Sequence, residues 1–207
     1  MIATGADYSG QEMPQEDNRL IPVKFVGDTN CLASVMAMAI NTLSWVGKRY
    51  PFTGYGVKLY LHKTWYTELF RGLALLAKHQ HVTDVGAEQK YILDTDPPLD
   101  VVVMQELECG HLVQLFVSGN AWLRYVRQEE PEEKDEGHTI LVNGYVKKQG
   151  ELFFVVQDPD GGQVEVRFDM IRPALTRAYP DSSFLIEDIN DLKLYDRIVI
   201  WKNLDGR

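Results

Sequence analysis

The 207-residue sequence predicts an α+β fold, in which an N-terminal helical half, with a cysteine on its central helix, packs on a C-terminal antiparallel sheet. Three observations carry that expectation. An almost continuously apolar run begins at Cys31, within "GDTNCLASVMAMAI". A second helical pattern follows over 62–78. After Gly110 the chain turns to short segments rich in β-branched and aromatic residues, separated by turn signals. Helices and strands are segregated, which argues against alternating βαβ units.

Taken in order, residues 1–19 are polar and predict a loose arm, and 20–207 form the domain. Residues 21–26, "IPVKFV", fit a strand or an extended lead-in. "GDTN" then supplies N-cap residue types, so Asp28, Thr29 or Asn30 would cap a helix that opens at Cys31. That helix is apolar almost all round, as a buried central helix must be, and Gly47, Lys48, Arg49 and Pro51 mark its end. "FTGYGV" reads as a loop. Residues 62–78 form an amphipathic helix with Trp65, Leu69, Leu73 and Leu76 on one face. Residues 95–110 predict a helix capped by Thr95 or Asp96 and stopped at Gly110, although "VVVM" also suits the start of a strand.

Strands are expected at 111–118, 138–147, 151–158, 163–168 and 195–202, with turns at "KQG" and "DPDGG" and a short helix in "DMIRPALTRAY". Tyr145 and the tryptophans at 45, 65, 122 and 201 read as core or rim aromatics.

Composition narrows the function. Hydrophobic residues make up 45% of the chain, enough for one packed domain. A net charge of −9 without a dense Lys/Arg cluster speaks against a nucleic-acid partner. The longest largely apolar stretch, 32–40, is far short of the roughly 20 residues that a bilayer demands, so no membrane partner is expected. The polar N-terminus lacks the features of a signal peptide, which makes the cytoplasm the default and leaves non-classical secretion into another cell open.

Cys31 and Cys109 are the two cysteines, too few for a disulfide framework and without CxxC spacing. His79 and His81 form a HxH pair with no cluster of further ligand types nearby, and read as a solvated helix end. No metal and no other cofactor is expected.

A thiolate nucleophile needs a cysteine pKa lowered from about 8.5, a base within reach of the sulfur, and a group that orients the base. Cys31 opens a helix, where unpaired N–H groups and the dipole favour negative charge. His138 opens one strand and Asp158 closes the next. A hairpin through 148–150 sets the start of the first across from the end of the second, which brings the two side chains together. His111 is a rival base, but no acid closes a following strand at hairpin distance from it. Asp160 is a second choice as orienter, past Pro159 in the turn. Cys109 ends a helix, where the dipole disfavours a thiolate. The acidic run "RQEEPEEKDEG", 127–137, is most simply a solvated loop; bordering the cleft, it would favour a basic substrate.

The pieces "NCLASVMAMAI", "GHTILVNGYVKKQGELFFVVQDPDGG" and, more loosely, "LECGHLVQLFV" resemble the papain-like cysteine peptidases, most closely the bacteriocin-processing (double-glycine leader) peptidase-like family, over about residues 20–170. The resemblance implies that Cys31 is the nucleophile, His138 the general base and acid, and Asp158 the orienter, with a thioester intermediate. It implies a thiol hydrolase acting on a peptide or amide bond of a peptide or protein substrate. Amidase and acyltransferase chemistry uses the same intermediate, and a papain-like binding or inhibitory module without turnover is the alternative. The chain departs from the family in one respect: no glutamine stands shortly before the cysteine, the nearest upstream being Gln15. The backbone N–H of Cys31 and the side-chain amide of Asn30 are the candidate oxyanion donors in its place.

Overall fold

The computed structural model describes residues 18–27, 30–61, 67–178 and 195–205. The expectations for residues 1–17, for Asp28 and Thr29 as caps, and for Trp65 lie outside these segments. The architecture is the expected α+β one, built on a single antiparallel sheet. Its strands are β1 (Asn18–Leu20), β2 (Val85–Ile92), β3 (Leu112–Ser118), β4 (Gly137–Lys148), β5 (Glu151–Asp158), β6 (Gly162–Arg167), β7 (Arg177–Ala178) and β8 (Tyr195–Asn203). The main path runs β2-β8-β3-β4-β5-β6, with β1 paired to β4 and β7 to β8.

The helix opening at Cys31 forms as the sequence requires, α1 (Cys31–Leu43), and buries nearly every residue of its length. It ends earlier than expected. Ser44 leaves helical geometry, accepts hydrogen bonds from the Val46 and Gly47 N–H groups, and so starts a separate short helix, α2 (Trp45–Arg49). The cause lies far along the chain: the buried Asp84 carboxylate accepts from the Ser44 hydroxyl at 2.7 Å and from the Trp45 N–H at 2.6 Å. "FTGYGV", read as a loop, holds the short helix α3 (Gly54–Lys58), because Thr53 caps the Gly56 N–H at 3.0 Å. The second amphipathic helix is α4 (Thr67–Gln80), with Leu69 and Leu76 buried.

The segment 95–110 is helical from Leu99, α5 (Leu99–Glu108), so "VVVM" is not a strand. Neither proposed cap serves it: Pro98 stands at the N-cap and Asp96 instead accepts from the Leu93 N–H at 2.8 Å, closing the preceding turn. Gly110 stops the helix with a φ of +81°, open to glycine at little cost. Two further short helices among the described residues are α6 (Gly119–Trp122), continued by a single π turn over Leu123–Arg127, and α7 (Phe168–Ile171), followed by a 3-10 turn over Arg172–Ala174.

Two parts of the sheet exceed the sequence expectation. β2, rich in polar residues, carries no clear strand pattern, and it forms at the sheet edge, paired along its whole length with β8. β8, the last strand, enters between β2 and β3, which makes the sheet more than a meander. The core lies on both faces. α1, α3 and α4 pack with Leu112, Phe116, Leu141, Val199 and Trp201 on one side. α5, α6 and α7 pack with Val113, Leu115, Ile140, Phe154 and Ile198 on the other. Double coverage explains why β3 and β4 read as nearly unbroken apolar runs. Among the described residues no helix is long and apolar enough to cross a membrane.

Candidate active site

Cys31 is the first residue of α1. Asn30 caps the helix in extended geometry, and its Oδ1 accepts from the Ala33 N–H at 2.9 Å. With the oxygen committed to the cap, the amide Nδ2 remains as a donor. The lead-in that delivers Cys31 is fixed at two points. At one end the Ile21 N–H donates to the Asn143 carbonyl at 2.8 Å. At the other, Gly27 passes so close to the turn after Asp158 that a Cβ there would meet the Pro159 carbonyl oxygen at 2.4 Å.

The β4–β5 hairpin delivers the other two residues. Its loop, Gln149 and Gly150, has φ values of +52° and +84°, which suit a tight two-residue turn matched to strand twist. That turn pairs Lys148 with Glu151, and continued without interruption this register would set Asp158 opposite Leu141. Leu141 is an odd number of residues from His138, so the two side chains would point to opposite faces. The expectation that the turn register alone unites them is therefore corrected. A bulge between Val142 and Gly144 makes Asn143 an extra residue and pairs Leu141 with Gln157. Continued by one residue, this sets Asp158 opposite Ile140, on the His138 face.

The outcome is a close-set group. His138 Nε2 lies 2.8 Å from Asp158 Oδ1. Asp158 Oδ2 accepts from the indole N–H of Trp122 at 2.8 Å, and Oδ1 also accepts from the Asp160 backbone N–H at 3.0 Å. The Cys31 sulfur lies beside the imidazole and favours its protonated form. Burial works against charge on His138, but the bond to Asp158, the bond to Cys31 and the charges of both push its pKa up to about 9. Burial likewise opposes charge on Asp158, and the bonds from His138 and Trp122 outweigh it and hold that carboxyl below its ordinary value. The carboxylate on one side and the sulfur on the other thus both favour the protonated imidazole.

Among the residues singled out from sequence, the fold brings Cys31, His138, Asp158 and Asn30 together and sets the rivals apart. His111 pairs with Glu106 at 2.7 Å on α5. Asp160 stands 3.7 Å from His138 Nδ1 and is exposed, so the close carboxylate is Asp158. Cys109 is exposed beyond the end of α5. His138, Asp158 and Asp160 offer atoms within 4.8 Å of one another. Within this group both Asp158 oxygens already accept N–H groups and His138 Nε2 is bound to one of them.

Trp122 was legible only as an aromatic. Its contact with Asp158 spans 36 positions and no local spacing announces it. The other tryptophans divide: Trp201 is buried and Trp45 is 59% exposed.

A cavity of about 990 Å³ opens over Cys31 and His138. One wall is the acidic run, and it is fastened there. Asn120 grips the Glu132 backbone with both ends of its amide, at 2.8 and 3.0 Å. Asp135 accepts from the Asn120 N–H at 3.0 Å and the Ser118 hydroxyl at 2.8 Å, donors that hold its carboxyl below the ordinary value without neutralising it. Gly119 N–H donates to the Glu136 carbonyl at 2.9 Å.

No family model and no curated protein matches this chain. A structure from Bacillus anthracis described as a C39-like peptidase superposes with a TM-score of 0.47 at 11% sequence identity, covering 89% of this chain and 97% of its own.

Proposed function

We propose that the chain is a papain-like thiol hydrolase, with Cys31 as nucleophile, His138 as general acid and base, and Asp158 as orienter. The observation that carries this reading is the imidazole placed between the Cys31 sulfur and the Asp158 carboxylate, at the mouth of a cavity. Cys31 attacks the carbonyl carbon of a peptide or amide bond. The His138 proton passes to the leaving amine, and the resulting thioester is released by water. Transfer to an amine instead of water would make the same site an acyltransferase. The N–H of Cys31 at the helix start and the Asn30 Nδ2 are the oxyanion donors that stand in for the absent glutamine.

Iodoacetamide labelling of the native protein across pH, with sites assigned by mass spectrometry, tests this reading. Cys31 is expected to react at pH 6–7, ahead of Cys109, and to lose that reactivity in His138→Ala. Inert Cys31, or labelling indifferent to His138, would instead leave a papain-like module that binds without turnover.

The substrate class follows from the fastened wall. Glu129, Glu132, Asp135, Glu136 and Asp160 share the cavity lining with Arg127 and Lys134, an excess of three negative charges among these groups. Arg127 pairs with Glu129 at 3.1 Å and Lys134 lies 3.8 Å from Glu136, and the remaining acids favour a cationic peptide segment. Charged methanethiosulfonates measure that field at Cys31. The cationic reagent should modify it roughly tenfold faster than the anionic one, relative to free cysteine, with the ratio falling toward one in 1 M salt. A ratio near one at low salt would remove the preference.

A further inference from the structure

We infer that Asn143 is a positioning residue for the site: as the extra residue of the β4 bulge it selects the face on which Asp158 meets His138. The inference rests on the thiol-hydrolase reading for its functional meaning, and on the hairpin for its geometry. Lys148 pairs with Glu151 on the turn side of the bulge, and Leu141 pairs with Gln157 on the site side. A single residue changes the pairing parity between them, and parity decides which side chains share a face.

The surroundings of Asn143 explain why the extra residue stays at this position. Here β4 changes its neighbour on one edge, from β3, which pairs as far as Val142, to β1, which begins at Gly144. Asn143 is fully buried, and its Nδ2 donates to the Ile21 carbonyl at 2.7 Å while its own carbonyl accepts the Ile21 N–H at 2.8 Å. Next to it, a Cβ on Gly144 would lie 2.4 Å from the Arg19 carbonyl oxygen, so β1 can cross only a glycine. The pair Asn143–Gly144 thus sets the parity of the His138–Asp158 hairpin and moors the segment that leads to Cys31. Asn143 touches no reacting atom and acts through the two strands.

Three variants test this, read by NMR titration of the His138 imidazole. Deleting Asn143, or inserting one alanine between Asn143 and Gly144, changes the parity. Each should lower the His138 titration from about 9 toward the ordinary 6.5 and abolish Cys31 labelling at pH 6–7. Asn143→Ala keeps the residue count. It should melt at a lower temperature, because the Ile21 carbonyl loses its donor, yet retain the His138 titration within about half a unit.

A parity variant that folds and still titrates near 9 overturns the inference. So does a folded Asn143→Ala whose titration falls to 6.5, since the side chain and not the residue count would then be responsible. A wild-type protein with inert Cys31 but a raised His138 titration would sink the hydrolase reading alone and leave this comparison intact.

Discussion

Replacing Asp158 with alanine is expected to cost about 3–5 kcal/mol of folding stability at pH 7 and to return His138 to titration near or below 6.5. Asp158 is 1% exposed and accepts from three donors. Its removal leaves the Trp122 indole N–H without an acceptor in the core, which alone costs roughly 1–3 kcal/mol. It also leaves a buried imidazole whose charge has lost its nearest counter-ion, so burial then dominates and drives the proton off. Asp158→Asn separates the contributions. An asparagine still offers Trp122 an acceptor, so less stability is lost, while the charge that favours the imidazolium is gone. Urea unfolding of both variants beside wild type checks the order wild type, Asp158→Asn, Asp158→Ala. A loss below 1 kcal/mol for the alanine variant would mean that the group is not held as described.

Stability should fall as pH rises through the titration of His138. Its folded pKa, about 9, lies above the unfolded value of 6.5. A group raised on folding contributes fully below its unfolded pKa, and the contribution disappears as pH passes its folded pKa. The shift corresponds to something on the order of 3 kcal/mol, present at pH 6 and gone above about pH 9. At the acid end the partner sets the limit. Asp158 is held below its ordinary value, so its contribution persists down to the ordinary carboxylate range and is lost as pH falls further. Urea midpoints from pH 5 to 9.5, compared with His138→Gln, isolate the imidazole: wild type should decline over 6.5–9 and the variant should not share that decline. Parallel profiles would show that His138 gains no proton affinity on folding.

How far the sequence can be read is seen element by element. α1 was legible because burial on all sides writes itself as an apolar run, with capping types before it. Its break at Ser44 was not, because the cause is Asp84, forty positions away. β4 and β5 were legible from branched and aromatic composition and the Gln149–Gly150 turn. β2 was not, because a strand at the edge of the described sheet, paired with β8, has little need of an apolar pattern. The acidic run read as a solvated loop, and it becomes a fastened wall only because Asn120 on α6 meets it in space.

The sequence by itself determined the chemical inventory and its local settings: a cysteine at a helix start, a histidine opening one strand, an aspartate closing the next, and a short turn between them. Those are properties of chain neighbours, expressed by capping, periodicity and turn geometry. The tertiary structure alone decided whether the inventory meets. The parity of the hairpin depends on one extra residue at Asn143, held where β4 passes from β3 to β1. The second donor on Asp158 comes from Trp122 on a helix remote in sequence. A side chain's face is set by counting residues along a pairing, and that count closes only when distant strands fix the register.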